Sequence, residues 1–228
     1  MKISKRLNLI INEIKNKNII DIGTDHAYIP IVALKKNIIF NAIASDIRKG
    51  PLEIAKKNII DNGYEKKIKT VLSDGFENKI FDNIFEKEKI TGIIAGMGGL
   101  IICKIIDCLD KKLFNMTQLI LQPQNNIYYV RKKLHRVGFM IQDENFFCEQ
   151  KKFYNIIIAC RGKDNFYSEC DYAVGKILLA RKNNDLHDYL LRRIIKLSRI
   201  KNFNDEAKKI FDLYLEALKC FALKQLRY

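Results

Sequence analysis

The stretch Asn18 to Pro30, NIIDIGTDHAYIP, constrains the fold more than any other, because an apolar run, an acid, a single glycine and a proline follow one another in it. Ile19, Ile20 and Ile22 are β-branched and flank Asp21, the pattern of a buried strand with one carboxylate near its carboxyl end. The chain must then turn sharply. Gly23 supplies a permissive backbone, Thr24 or Asp25 can cap the coming helix, and Pro30 is tolerated only in that helix's first turn.

Strand, glycine turn and helix start resemble the first unit of a doubly wound sheet, in which ligands bind beyond the carboxyl ends of the strands. The dinucleotide fingerprint needs three glycines, and its second and third places fall here on Asp25 and Ala27. Two carboxylates at the mouth of the turn would repel a pyrophosphate. They suit a cofactor bearing an ammonium group and ribose hydroxyls, such as S-adenosylmethionine.

Beyond that turn, strands and helices alternate. Ser4 to Lys15 reads as an amphipathic helix, with Leu7, Ile10, Ile11 and Ile14 on one face. Ile29 to Leu34 begins the first crossover helix. Asn41 to Ile47 forms a second strand ending at Asp46, and Pro51 opens the following helix. Ile68 to Leu72 forms a third, closed by Ser73, Asp74 and Gly75. Ile90 to Ala95 forms a fourth, followed by Gly96, Met97, Gly98 and Gly99, and Leu119 to Leu121 a fifth, closed by Gln122 and Pro123. A helix over Ile127 to Val137 precedes two apolar stretches, Phe139 to Phe147 and Tyr154 to Cys160, with no helix between them. This order implies an α/β fold whose mostly parallel sheet ends in an antiparallel hairpin.

After Arg161, Gly162 and Lys163 the pattern becomes uninterrupted helix. Phe211, Tyr214, Leu218 and Phe221 step by three and four, as do Leu186, Leu190, Ile194 and Leu197, so the two segments are expected to pair as an antiparallel coiled-coil hairpin. The expected division is residues 1–162 for the sheet domain and 163–228 for the helical extension.

A formal charge of +15 points to a polyanionic partner. Lys, Asn and Ile are all abundant and share A/T-rich codons, so a biased genome could also inflate the lysine count. Six scattered cysteines without a C-x-x-C pair, and three separated histidines, predict reduced thiols and no metal. Neither a membrane-length apolar run nor a secretory cleavage pattern is evident, so a cytoplasmic protein without a membrane partner is expected. The sequence does not set the oligomeric state, and a monomer is favoured.

The strings DIGTDHAYIP, IASDIRKGP, SDG, IIAGMGG, LILQPQ and KKFYNIII, followed by the helical extension, resemble the bacterial tRNA adenine-22 N1-methyltransferase family, the TrmK type, within the class I S-adenosylmethionine-dependent methyltransferases. The resemblance spans nearly the whole chain. It departs in two places: Gln122-Pro123-Gln124 stands where the family commonly has Gln-Pro-Asn, and Asp46 replaces a glutamate. It implies a Rossmann-like methyltransferase sheet carrying a tRNA-binding helical extension. The alternatives are methylation of another RNA or of a small molecule, or an RNA-binding relative without catalysis.

On this reading Asp21 would accept from the methionyl ammonium or the loop backbone, and Gly23 would allow close approach of the cofactor. Asp46, with Ile47 beside it, would serve the ribose hydroxyls, and Asp74 with Gly75 the adenine amino group. Ala95, Gly96 and Met97 would wall the methionine end. The Ala-Gly-Met-Gly-Gly segment lacks the Pro-Pro-aromatic pattern of enzymes acting on exocyclic amines. It fits attack by a ring nitrogen. Methylation at N1 leaves the adenine positively charged, so a carboxylate at its edge is useful, and Asp25 is the candidate for that role unless it only caps a helix. Tyr28 could stack on the base or pack on the sheet, His26 could bond the cofactor or orient the loop, and Gln122 could contact the base edge. N1 lies on the pairing edge, so the adenine must be unpaired or extruded. Arg192, Arg193, Lys196, Arg199 and Lys201 form a basic run fit to contact RNA or merely to be solvated.

Overall fold

A computed structural model describes residues 3–81, 88–110, 115–200 and 204–223. The β-branched runs form a seven-stranded sheet of order β3-β2-β1-β4-β5-β7-β6. Its strands are β1 (Asn18–Ile22), β2 (Asn41–Asp46), β3 (Ile68–Leu72), β4 (Ile90–Met97), β5 (Met116–Pro123), β6 (Phe139–Glu149) and β7 (Lys152–Arg161). The first five are parallel, whereas β7 runs antiparallel to both β5 and β6. The chain moves outward from β1 to β3 and then returns to place β4 on β1's other side. That reversal opens a crevice at the carboxyl ends of β1 and β4.

Successive side chains of a strand point to opposite faces, and the isoleucines of β1 divide accordingly. Ile19 packs with residues of α1 (Lys5–Asn12), α2 (Tyr28–Lys35) and α3 (Lys49–Asp61). Ile20 and Ile22 pack on the other face with α4 (Gly99–Ile106) and α5 (Ile127–Arg136). Each isoleucine moved fully from water into such a layer stabilises the fold by about 1.5–3 kcal/mol. Ser4 caps α1, its side chain accepting from the Leu7 N–H at 3.3 Å. Helix α4 was not signalled by the sequence pattern: its run LIICKII is apolar on almost every side and so lacks the 3.6-residue alternation that marks a surface helix.

The helical extension differs from an uninterrupted pattern. It consists of α6 (Glu169–Val174), α7 (Lys176–Ala180), α8 (Asn184–Ser198) and α9 (Asp205–Leu223), with breaks at Gly175 and at Arg181 to Asn183. The apolar residues expected along α8 and α9 do meet in one cluster. That cluster also takes in Cys170, Val174 and Leu178 from α6 and α7, and Phe146 and Phe153 from β6 and β7. The seam is therefore shared with the sheet domain and with the shorter helices.

A buried ion pair anchors this attachment. Arg131 on α5 donates through Nε and Nη2 to Glu144 Oε1 at 2.9 and 2.8 Å, and through Nη1 to the Tyr172 carbonyl at 2.8 Å. Burial pushes the Glu144 carboxyl above its usual range, and Arg131 opposes that rise. Arg131→Met should therefore destabilise the protein by about 3–5 kcal/mol in urea denaturation, because it strands a buried carboxylate. Adding Glu144→Leu should recover most of the loss.

Candidate active site

A cavity of about 670 Å³ lies in the crevice at the carboxyl ends of β1 to β4. Its walls include Asp21, Gly23, His26, Asp46, Ile47, Asp74, Gly75, Ala95, Gly96 and Met97, all ten residues expected to face a cofactor, together with Asp25 and Tyr28. Its size is ordinary for a small-molecule site.

The turn after β1 is tied to the end of β2. Both the Gly23 and Thr24 N–H groups donate to the Ser45 carbonyl, at 2.7 and 2.9 Å. Gly23 has φ +70°, and a Cβ there would overlap the Cε of Met97. The turn therefore needs glycine both for its backbone and for the close approach of Met97. Thr24 does not cap a helix; its hydroxyl donates to Asp21 Oδ2 at 2.6 Å. Asp21 is buried, and that burial, reinforced by the charge of Asp46 and opposed by the Thr24 hydrogen bond, raises its pKa to about 7.

Asp25 does not cap α2 either. Ala27 occupies the cap position, in a left-handed conformation, and no side chain bonds there. Asp25 itself has φ +53°, its side chain is 62 % exposed at the cavity, and its Oδ2 lies 3.6 Å from His26 Nε2. The His26 ring stacks on that of Tyr28, with centroids 5.1 Å apart. The His26 carbonyl accepts from Asn58 Nδ2 at 3.0 Å, which ties the loop to α3. Carboxylate, imidazole and phenol thus form one polar cluster on the wall.

At the next two strand ends, Asp46 is buried and its Oδ1 accepts from the Arg48 N–H at 3.0 Å. Asp74 accepts from Lys104 Nζ at 2.9 Å. Ile47, 61 % exposed, and Ile101, 56 % exposed, offer apolar surface at the rim, suited to an aromatic ring. The register of β4 against β5 shifts between Ala95 and Met97 at Gly96, which has φ +80°. This irregularity re-aims the strand's end into the cavity. Three acids, a close-packed glycine turn and exposed apolar rims together fit S-adenosylmethionine. Among the described residues no group of His, Cys, Asp and Glu could hold a metal ion.

Gln122 lies beside the cofactor cavity, in the wall of a second cavity that adjoins it. It is 1 % exposed and outside the cofactor cavity, its Oε1 accepting from Arg6 Nη1 at 2.7 Å and its Nε2 donating to the Pro123 carbonyl at 3.1 Å. Arg6 and Gln124 line the cavity instead. Arg6 carries no motif and arrives from α1 across 116 positions of sequence, whereas Gln124 ends the LILQPQ string, where the family's asparagine would be. Asn125 holds the loops together, its Oδ1 accepting from the Gly99 N–H at 3.0 Å at the start of α4. In the basic run, Arg192, Lys196 and Arg199 are exposed, whereas Arg193 is half-buried beside Tyr214, with a buried Nε that has no hydrogen-bond partner. Lys201 lies outside the described residues.

The raised pKa of Asp21 has a sign that can be tested. Its contribution to stability is full below the ordinary carboxyl value of 3.8 and is lost as pH rises through about 7, because the folded protein holds the proton more tightly than the unfolded chain. A ligand ammonium beside Asp21 favours the ionised form, so binding below pH 7 releases a proton. S-adenosylmethionine affinity should rise from pH 5 to 7, by at most about tenfold per pH unit, and then level off. Asp21→Asn should flatten that profile in isothermal titration calorimetry.

Comparison with known proteins agrees with this geometry. The family model described as tRNA (adenine(22)-N(1))-methyltransferase, TrmK, matches residues 19–215. The tRNA (adenine(22)-N(1))-methyltransferase of Bacillus subtilis (strain 168) is 32% identical over 189 residues, which make up 81% of this chain and 77% of that protein. TrmK of M. capricolum, solved with S-adenosyl-homocysteine, superposes with a TM-score of 0.83 at 26% identity, covering 97% of this chain and 99% of that one. A Streptococcus pneumoniae protein solved in complex with S-adenosyl-L-methionine gives a TM-score of 0.84 at 29% identity, over 96% of this chain and 100% of that one. With its sheet order, its acid-ended strands and its Asp-His turn in place, the chain belongs to the TrmK family of tRNA (adenine(22)-N(1))-methyltransferases.

Proposed function

We propose that this chain transfers a methyl group from S-adenosylmethionine to N1 of adenine 22 in tRNA, in the cytoplasm and as a monomer. The observation that carries the reading is the convergence of three strand-end acids, Asp21, Asp46 and Asp74, on the cavity that also exposes Asp25. When bound, S-adenosylmethionine supplies an electrophilic methyl group on its sulfonium.

In that site Asp21 holds the ligand's ammonium, with Gly23 and His26 around it. Asp46 accepts from the ribose hydroxyls, Ile47 lies against the adenine ring, and Asp74 with Gly75 meets its amino group. Ala95, Gly96 and Met97 wall the methionine end. The attacking N1 carries an in-plane lone pair and needs no deprotonation first. Asp25 stabilises the positive charge that develops on the base as the bond forms, a use of a fixed charge where charge appears. Tyr28, paired with His26, orients the base edge beside it.

We assign residues 1–162 to the methyltransferase domain and 163–228 to the helical extension that meets tRNA, with Arg192, Lys196 and Arg199 on its open surface. Phosphate contacts of this kind would be weakened by salt.

Purified protein, labelled S-adenosylmethionine and an unmodified tRNA transcript should yield 1-methyladenosine at position 22 on nucleoside analysis. A different methylated nucleoside, or none, would overturn the reading. Asp25→Asn keeps the side chain's size while removing its charge. Single-turnover methylation with both substrates saturating should slow by roughly 10²-fold, with cofactor affinity little changed. A large loss of cofactor affinity would instead move Asp25 to the methionine end.

A further inference from the structure

A second cavity, of about 990 Å³, adjoins the first, and Arg6 and Gln124 line both. Its walls come from the start of α1, the turn between β6 and β7, and α8. The chemistry of those walls is specific. Lys5, Arg6 and Lys152 bring positive charge, and Phe153, Tyr154 and Tyr189 bring aromatic rings. One acid is present, Glu149, and its Oε1 accepts the Lys5 backbone N–H at 3.0 Å. Cations interleaved with aromatic rings form the kind of surface on which unpaired nucleotides bind, the bases stacking on the rings while the cations follow the phosphates.

Arg6 is fixed where the two cavities meet. Its Nη1 is held by Gln122 Oε1 at 2.7 Å, and its Cζ lies 5.8 Å from the centroid of Tyr154. A Cβ added to Gly96 would stand 3.4 Å from Arg6 Nη1, so the guanidinium rests beside the wall assigned to the methionine end. Gln122 has both ends of its amide engaged, with Arg6 and with the Pro123 carbonyl. It is a positioning residue for Arg6. A guanidinium beside a base that becomes cationic would oppose methyl transfer if it met the base, so its suitable partner there is a phosphate.

We propose that the second cavity receives the target nucleotide of the RNA, which rests on the methyltransferase reading above. The base lies against Tyr154 with its pairing edge directed past Gln124 toward the first cavity, and the adjoining phosphate lies among Lys5, Arg6 and Lys152. Tyr189 comes from α8, so the helical extension completes the wall of this cavity besides offering charge farther out.

Three variants of the full chain test this. Lys152 is exposed at the start of β7, so Lys152→Glu should leave the fold and the calorimetric affinity for S-adenosylmethionine intact. It should weaken binding of an unmodified tRNA transcript by about tenfold and reduce its salt slope. Tyr154→Leu should slow single-turnover methylation at saturating tRNA by about tenfold or more, whereas Tyr154→Phe, which keeps the ring, should restore it. A transcript carrying a photoreactive adenosine at the methylated position should cross-link to the peptide spanning Glu149 to Tyr154. Unchanged tRNA binding in Lys152→Glu, together with cross-links confined to other segments and intact methylation, would overturn the cavity assignment while leaving the methyltransferase reading in place. Absence of methylation by the unaltered protein would remove both.

Discussion

The site depends on keeping the Asp21 carboxylate inside the protein. A buried carboxylate is costly, and the turn after β1 is shaped to limit that cost. Thr24 folds back to donate to it, and the Gly23 and Thr24 N–H groups are taken by Ser45, which fixes the turn on β2. The left-handed backbone at Gly23, Asp25 and Ala27 follows from bending the chain this tightly before α2 can begin. The same bend leaves Asp25 outside while Asp21 stays inside. Two acids four residues apart therefore have opposite environments, one suited to gripping a cation out of water and the other free to meet a substrate.

The facing wall is built from two loops that behave as one. Asn125 bonds the Gly99 N–H, and the Gln124 N–H donates to the Met97 carbonyl at 2.9 Å, so the segments after β4 and β5 support each other. Met97 in turn lies over Gly23. The cavity is thereby held by contacts among the segments that follow β1, β2, β4 and β5, some of the backbone and some of the Asn125 and Met97 side chains. This arrangement suits a reaction that needs alignment more than it needs acid–base chemistry.

Much of this was legible in the sequence. Runs of isoleucine and valine marked the strands of the parallel sheet, and the acids at their ends marked the cavity, because both signals are local. Asp21, Asp46 and Asp74 all line it. Some of the failures were long-range or lacked a pattern. Helix α4 has a single charged position, Lys104, too little polar contrast to mark a face by periodicity. The contact between Arg6 and Gln122 joins two distant segments, and nothing at either end announces the other. Thr24 and Asp25 looked like helix caps because their types favour that role, yet a bond back to Asp21 claimed one and positive φ placed the other elsewhere. The breaks at Gly175 and at Arg181 to Asn183 were missed although a glycine and the polar run RKNND mark them locally.

The attachment of the helical extension bears on how such proteins can be recombined. Arg131 reaches from α5 to the Tyr172 carbonyl, and Glu169 accepts from Tyr128 and Lys132 of α5 while pairing with Lys209 of α9 at 2.9 Å. Tyr167 is packed into the core of the sheet domain. A chimaera that exchanged everything after residue 162 would sever these contacts, leaving Tyr128 and Lys132 without Glu169 while the buried Arg131–Glu144 pair stayed within the sheet domain. A junction at Arg181 to Asn183 would carry α6 and α7 along with their sheet-side partners. The transferable unit is then the pair α8 and α9, and grafting it requires on the recipient an apolar patch matching Phe146, Phe153, Cys170, Val174 and Leu178 and an acid to meet Lys209.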